Sequence, residues 1–252
     1  MPDAVFDDPR LAAIYDALDP DRSDLDAYVA LVEELGARSV LDLGCGTGVF
    51  ALLLAERGLE VIGVDPAGAS LDVARAKPGA EHVTWIHGDA SAIPPSVEVD
   101  AVTMTANVAQ VFLTDADWLS MLGAVHGALR PGGHLIFESR DPARRAWEEW
   151  TEERTRTTTD IPGVGRVTEW VQVTDVADDG GLVAFESPNL FEADGTVITS
   201  RSTLRFRSRE AIEGSLRASG FEVLEVRDAP DRPGRELVFV SRALAASAAS
   251  AG

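Results

Sequence analysis

Between residues 39 and 140, short runs rich in Val, Leu and Ile alternate with longer stretches whose apolar residues recur at helical spacing. The short runs read as parallel strands, and the longer stretches as the crossover helices that join them. SVLDL (39–43) is a first strand, followed by a helix that starts near Val49 and is stopped by Gly58. EVIGVD (60–65) is a second strand ending in an acid. SLDVARAK predicts a helix halted by Pro78, because the residue before a proline is pushed out of the α region. VTWIHGD (83–89) is a third strand, again ending in an acid; VDAVTMT (99–105) is a fourth. Residues 115–129 predict a helix ended by RPGG, and HLIFES (134–139) is a fifth strand.

Beyond that point the period changes to two. Residues 165–174, 182–187 and 197–207 alternate in the manner of half-buried strands, separated by the turn signals DDGG and ADG, which predicts a three-strand antiparallel meander. In its first strand Val167, Val171 and Val173 face one way, and Thr168, Trp170 and Gln172 the other. A helix is expected after ESRDPARRA, carrying Trp147 and Trp150 on one face. Helical spacing returns in REAIEGSLRAS, with Ser208 as N-cap and Gly220 as C-cap, and the strands FEVLEVR and ELVFVS follow. No repeat and no long linker divides the chain. The reading is one domain: a helical segment 1–37, a ligand-binding core 38–140, a helix with the β insertion 141–207 expected to serve as lid or dimer surface, a closing helix and strands 208–242, and a disordered tail 243–252.

The stretch LGCGTG (43–48) sits at the tip of the first strand, where an open parallel sheet binds its ligands. Gly44, Gly46 and Gly48 permit positive φ and lack a Cβ, so a ligand can lie against the main chain. A dinucleotide site would read G-x-G-x-x-G, but Val49 stands where the third glycine belongs, which opposes a nicotinamide oxidoreductase. Asp65, at the end of the second strand, is placed to accept hydrogen bonds from ribose hydroxyls, and Asp89, at the tip of the third, to hold an adenine amino group. Asp42 is an acid inside an apolar strand and calls for a polar partner.

VLDLGCGTG, GVD with Pro66, GDA, and ALRPGG before HLIFE resemble the ordered motifs of class I S-adenosylmethionine-dependent methyltransferases over residues 38–140 and 208–242. The resemblance implies an α/β, Rossmann-like, seven-stranded and mostly parallel sheet with helices on both faces and an antiparallel last strand, here joined by a small antiparallel β insertion between strands five and six. It implies S-adenosylmethionine as cofactor and S-adenosylhomocysteine as product. By position it sets Gly44, Gly46 and Gly48 against the methionine and ribose portion, Asp65 with Pro66 at the ribose, and Asp89 and Ala90 at the adenine. Asp42 would orient the loop or the amino group, Asn107 and Val108 would lie under the sulfonium and the methionine tail, and Tyr15 and Arg22 would cover the methionine carboxylate.

Methyl transfer from a sulfonium is an in-line displacement, so alignment and exclusion of water supply much of the rate. A base is needed only where the accepting atom carries a proton, and by position the candidates are Glu138, Asp141 and Tyr15. Arg140, Trp147, Trp150, Trp170 and Arg205 are candidates for acceptor contact; for the tryptophans the alternative is packing, and for Trp170 and Arg205 a solvated sheet face. APDRPGRE reads as a turn before the last strand, with Asp231 and Arg232 able to fold over the pocket mouth.

The formal net charge of -20 opposes a nucleic-acid partner, which needs a basic face, and no apolar run reaches the eighteen residues of a membrane span. Cys45 is the single cysteine, compatible with a reducing cytoplasm, and lacks a neighbouring base that would make it a nucleophile. His82, His87, His126 and His134 show no metal-ligand spacing, so no metal is expected. The expected function is methyl transfer to a small-molecule acceptor on O, N or C. A cofactor-binding protein without transfer activity is the alternative from another class. An RNA or protein methyltransferase is opposed by the acidity and by TANV, which stands where an Asn/Asp-Pro-Pro-aromatic signature would be.

Overall fold

The computed structural model describes residues 2–177 and 180–245. The disorder expected of the tail and the DDGG turn at Asp178 and Asp179 therefore fall mostly outside the described residues. Four short or medium helices open the chain: α1 (Ala4–Asp7), α2 (Pro9–Ala12), α3 (Tyr15–Leu18) and α4 (Asp26–Glu34). The core follows as β1 (Ser39–Leu43), α5 (Val49–Glu56), β2 (Glu60–Asp65), α6 (Gly68–Ala76), β3 (Val83–His87), β4 (Val99–Met104), α7 (Asp115–Ala128) and β5 (Leu129–Arg140). After α8 (Glu152–Thr155) come β6 (Thr157–Ile161), β7 (Gly165–Glu169), β8 (Gln172–Val176), β9 (Leu182–Phe191) and β10 (Thr196–Arg205), and then α9 (Arg209–Ala218), β11 (Phe221–Asp228) and β12 (Glu236–Ala243).

The main sheet has seven strands in the order β11-β12-β5-β4-β1-β2-β3. Strand β12 runs antiparallel to both β5 and β11, while the pairs β1–β2, β1–β4, β2–β3 and β4–β5 are parallel. Alternate residues along each strand feed two different cores, as the pleat requires. Leu41, Val102, Leu135, Phe137 and Phe239 pack with Trp118, Met121, Leu122 and Val125 of α7 and with Ile212 and Leu216 of α9. Val40, Ala101, Ile136, Val238 and Val240 pack on the opposite face with Tyr28, Val29 and Val32 of α4 and Phe50, Ala51 and Leu54 of α5. Helices thus cover both faces, which explains why β1 is buried at every position.

The insertion departs from the expected meander in three respects. It is a five-stranded sheet, β10-β9-β7-β6 with β8 also paired to β9, and β6 adds an edge that the pattern of 157–161 did not announce. The expected strand 165–174 is two strands, β7 and β8, lying along the same edge of β9 and interrupted at Trp170 and Val171. The interruption stands opposite Pro188, which has no N–H to give to the ladder; only the Trp170 N–H crosses, donating to the Pro188 carbonyl at 3.3 Å. The helix expected to carry Trp147 and Trp150 is instead a pair of 3-10 turns, 142–144 and 146–149, joined at Arg145 with φ 47°.

Candidate functional site

Strand β1 pairs with β2 on one side and β4 on the other, so the chain leaves its tip at the point where the strand order reverses. There the Gly44 and Cys45 N–H groups both donate to the Val64 carbonyl, at 2.8 and 3.2 Å, and the loop turns through Gly44, Gly46 and Gly48 at φ of 77°, 53° and 80°. The three glycines are required for different reasons. A Cβ on Gly44 would stand 2.5 Å from Val108 Cγ2, and one on Gly48 would stand 2.6 Å from Trp85 Cη2, so these two admit neighbouring side chains. A Cβ on Gly46 would meet nothing within 4 Å, which leaves this glycine as the one that opens the loop.

Asp65 closes β2 beside that opening. Its Oδ2 accepts the Gly46 N–H at 2.7 Å and its Oδ1 the Ala67 N–H at 2.7 Å, so the carboxylate shapes the loop with one lone pair on each oxygen and retains another on each. Burial raises its pKa, and those two hydrogen bonds pull it partly back. Asp42, one strand away, finds the polar partner it needs in Thr103, whose hydroxyl donates at 3.1 Å. Burial nonetheless pushes this carboxyl up to about 7. The Cys45 thiol is pushed up too, by burial first and then by Asp42 and Asp65, so it is not a thiolate. The Pro66 carbonyl meets His87 Nε2 at 3.0 Å. Asp89 caps the turn 90–92 through the Ser91 N–H and hydroxyl, at 2.9 and 2.6 Å, and Ala90 is buried beside it.

The N-terminal helices reach over this edge. Asp16 of α3 accepts the Thr47 hydroxyl at 2.6 Å and pairs with Lys77 at 2.5 Å, while Lys77 Nζ donates to the Thr47 carbonyl at 2.7 Å. Tyr15, next to Asp16, has its ring 5.7 Å from that of Phe6, and burial raises its phenol pKa above the ordinary value. Arg22 pairs with Asp24 at 3.3 Å and is among the charges that act on Tyr15. Sequence reasoning named Tyr15 and Arg22 but missed Asp16 and Lys77.

A second polar group lies across the tips of β4, β5 and β12. The β5–β12 register pairs Glu138 with Val238 and Arg140 with Glu236, so Glu138, Arg140 and Glu236 share one face of the sheet. The turn after β4 bends over them through Ala106 at φ 55° and Asn107 at φ 61°. Such left-handed residues cost on the order of 1 to 2 kcal/mol each unless held in place. The hold is visible: the Asn107 N–H donates to Glu138 Oε1 at 2.9 Å and its Nδ2 to Glu236 Oε1 at 3.2 Å. Glu236 is further held by Arg232 at 2.8 Å and lies 3.6 Å from Arg140, which also donates to Gln110 Oε1 at 2.9 Å. Gln110 in turn donates to the Arg205 carbonyl at 3.4 Å, tying the end of β10 to the cluster. Burial, and then Glu236, push the Glu138 carboxyl up to about 8. Val108, seated against Gly44, joins this cluster to the glycine loop.

Several expected residues lie elsewhere. Asp141 spends its carboxylate capping the turn 142–144 through the Ala143 N–H. Trp147 is buried with Val183 and Phe206, its ring 4.6 Å from that of Phe206, and serves the insertion's own core. Trp150 packs on Phe185 at 5.0 Å, with the Arg140 guanidinium 5.4 Å from its ring. Trp170 stacks under Arg156 at 4.7 Å. Of the acceptor-contact candidates, the structure brings to the cluster Arg140, the backbone carbonyl of Arg205 and, under the Arg140 guanidinium, the ring of Trp150. Glu236, Gln110 and Arg232 complete it; Glu236 became legible only with the pairing of β12 onto β5.

Residues 40–133 match the methyltransferase domain family. The cypemycin N-terminal methyltransferase of a Streptomyces species is 35% identical over 117 residues, 46% of this chain and 48% of that protein. The chain thus matches about half the length of that curated relative. Among solved structures, the CcbJ methyltransferase of Streptomyces caelestis superposes with a TM-score of 0.75 at 22% identity, covering 93% of this chain and 96% of its own. CalS10 of Micromonospora echinaspora, an amino pentose methyltransferase solved with S-adenosylmethionine bound, superposes with a TM-score of 0.69 at 23% identity, covering 91% and 96%. No described helix is long and apolar enough to cross a membrane. The chain therefore has the fold of the class I S-adenosylmethionine-dependent methyltransferases, and its residues 40–133 match the methyltransferase domain family.

Proposed function

We propose that the chain binds S-adenosylmethionine across the tips of β1 to β4 and transfers its methyl group to a small-molecule acceptor. The observation that carries this reading is the open approach to Gly46 beside a buried Asp65 at the reversal of the strand order. The residues present fit that nucleoside. Gly46 leaves room against the main chain, Asp65 keeps lone pairs for a ribose, and Asp89 with Ala90 lines the adenine end. Tyr15 and Arg22 stand on the segment that Asp16 clamps to Thr47. When bound, the cofactor supplies an electrophilic methyl on a sulfonium; the chain supplies alignment and a cover against water.

The insertion sheet supports the role of cover. Ile161, Val167 and Phe191 pack on Leu11 and Ile14 of the N-terminal segment, and the Val5 N–H donates to Ser200 Oγ at 3.0 Å. The sheet therefore rides on the helices that overlie the glycine loop. A surface with net charge -20 favours a small acceptor over a nucleic acid, and we place the reaction in the cytoplasm. Isothermal titration with S-adenosylhomocysteine and with NAD tests the reading. Binding of the first and not the second is expected; heat with NAD alone would overturn it.

A further inference from the structure

We propose that Asn107, Glu138 and Glu236 form the acceptor subsite and that it takes an amine, whose proton Glu138 Oε2 receives. The inference rests on the methyltransferase reading and adds the chemical class of the acceptor. The cluster is rich in hydrogen-bond acceptors. Asn107 is 4% exposed and its Oδ1 is buried without a hydrogen-bond partner. Its amide orientation is set by Glu236, because turning it over would aim a carbonyl at a carboxylate. Glu138 Oε1 is engaged by the Asn107 N–H, while no hydrogen bond among the described residues reaches its Oε2. A buried acceptor left unsatisfied costs on the order of 1 to 3 kcal/mol, so Asn107 Oδ1 calls for a ligand that donates to it, and a second donor on that ligand would reach the unengaged Glu138 Oε2.

Charge narrows the class further. Glu236 has Arg232 and Arg140 against it, whereas Glu138 forms no ion pair among the described residues. The groups facing Glu138 are Glu236 on β12, Asp231 and Arg232 in the preceding turn, and Arg140 on its own strand, which Tyr15 approaches from α3. An acceptor that arrives as a carboxylate or thiolate would add negative charge to this buried group. An ammonium would supply the countercharge that Glu138 lacks and at least two N–H donors.

The same pairing provides the chemistry. An ammonium has no lone pair and cannot react. One N–H bond breaks, its proton bonds to Glu138 Oε2, and the nitrogen regains the pair with which it forms the new bond to the methyl carbon. The pair that joined methyl to sulfur remains on sulfur, which leaves as a neutral thioether, and the methylated product departs as a cation while Glu138 returns its proton to solvent. Burial, by holding the Glu138 acid at about 8, brings it into the range where it exchanges a proton with an amine.

Sinefungin tests this directly, since it carries an amino group on carbon where the cofactor carries its methyl on sulfur. Dissociation constants for sinefungin and S-adenosylhomocysteine are measured on the full chain and on Glu138→Gln, which keeps an oxygen for the Asn107 N–H. The wild type is expected to prefer sinefungin by tenfold or more at pH 8.5, with the ratio shrinking toward pH 6.5 as Glu138 takes up its proton. Glu138→Gln should hold S-adenosylhomocysteine within about twofold of wild type and show a small, pH-independent ratio. Asp42 also changes charge near pH 7, so the ratio is measured in Asp42→Asn as well, where the same pH dependence is expected. A wild-type ratio near one, a ratio that does not change with pH, or a preference that survives in Glu138→Gln would overturn the proposal with the methyltransferase reading intact. Should Glu138→Gln lose both nucleosides, the wild-type pH dependence decides. Failure of the wild type to bind either would bring down the methyltransferase reading and the proposal with it.

Discussion

Neighbouring glycines in one loop carry separable burdens. Gly44 yields its space to Val108 and Gly48 to Trp85 and Ala74, whereas Gly46 yields its space to nothing in the protein. Gly44→Ala should therefore lower Tm markedly, because a backbone-fixed Cβ would meet a packed valine. Gly46→Val should cost only about 1 to 2 kcal/mol of stability for its positive φ and yet abolish nucleoside binding, as read by differential scanning calorimetry alongside titration. Preserved affinity in that variant would count against the open face of the loop as the binding surface. Asp65→Ala removes the acceptor for Gly46 N–H and Ala67 N–H together with any hold on a ribose. It should weaken S-adenosylhomocysteine by about 1 to 3 kcal/mol in the same titration. These residues were legible from spacing alone, because a missing Cβ and a carboxylate at a strand end each leave a local signature. Glu236 was not: it stands 98 positions from Glu138, and only the antiparallel pairing of β12 on β5 brings the two together.

At the level of elements, the parallel core could be read from its apolar runs and its turns, while the insertion could be read only in part. Strand β6, TTTDI, has β-branched residues but an exposed polar edge, so it lacks the alternation that reveals a half-buried strand. The interruption between β7 and β8 depends on Pro188, which lies on a different strand, and no local pattern could report it. The turn holding Trp147 was mistaken for a helix because two tryptophans three apart share a helical face and, equally well, a 3-10 turn. Their packing makes a prediction. Trp147→Ala should cost about 3 to 5 kcal/mol of stability by emptying the cluster with Val183 and Phe206, while leaving the affinity for S-adenosylhomocysteine within about twofold. A large loss of affinity without loss of stability would assign Trp147 to the ligand instead.

Taken as a whole, the molecule stores protons. Asp42 at about 7 and Glu138 at about 8 both lie well above the pKa of an unfolded carboxylate, so the native state retains protons that the unfolded chain has released. Their contribution is complete at low pH and is lost as pH rises through 7 and 8. The repulsion within a chain of net charge -20 acts in the same direction. The ligand-free Tm should fall between pH 5.5 and 8.5, and the Asp42→Asn, Glu138→Gln double variant should flatten that fall; an unchanged slope in the double variant would show that other groups set it. Asp42→Asn keeps an oxygen for the Thr103 hydroxyl, so its effect on the slope reports charge and not a broken hydrogen bond.

Lys77, the chain's single lysine, spans the Asp16 carboxylate and the Thr47 carbonyl. An amine-selective acylating reagent consequently has one side chain to modify in the entire polypeptide, and that partly exposed amine is freed to react when its ion pair with Asp16 of α3 opens. The rate of its labelling, followed by intact mass, becomes a clock for how often the covering segment opens, and a ligand that fastens the segment down should slow that clock without any engineered probe.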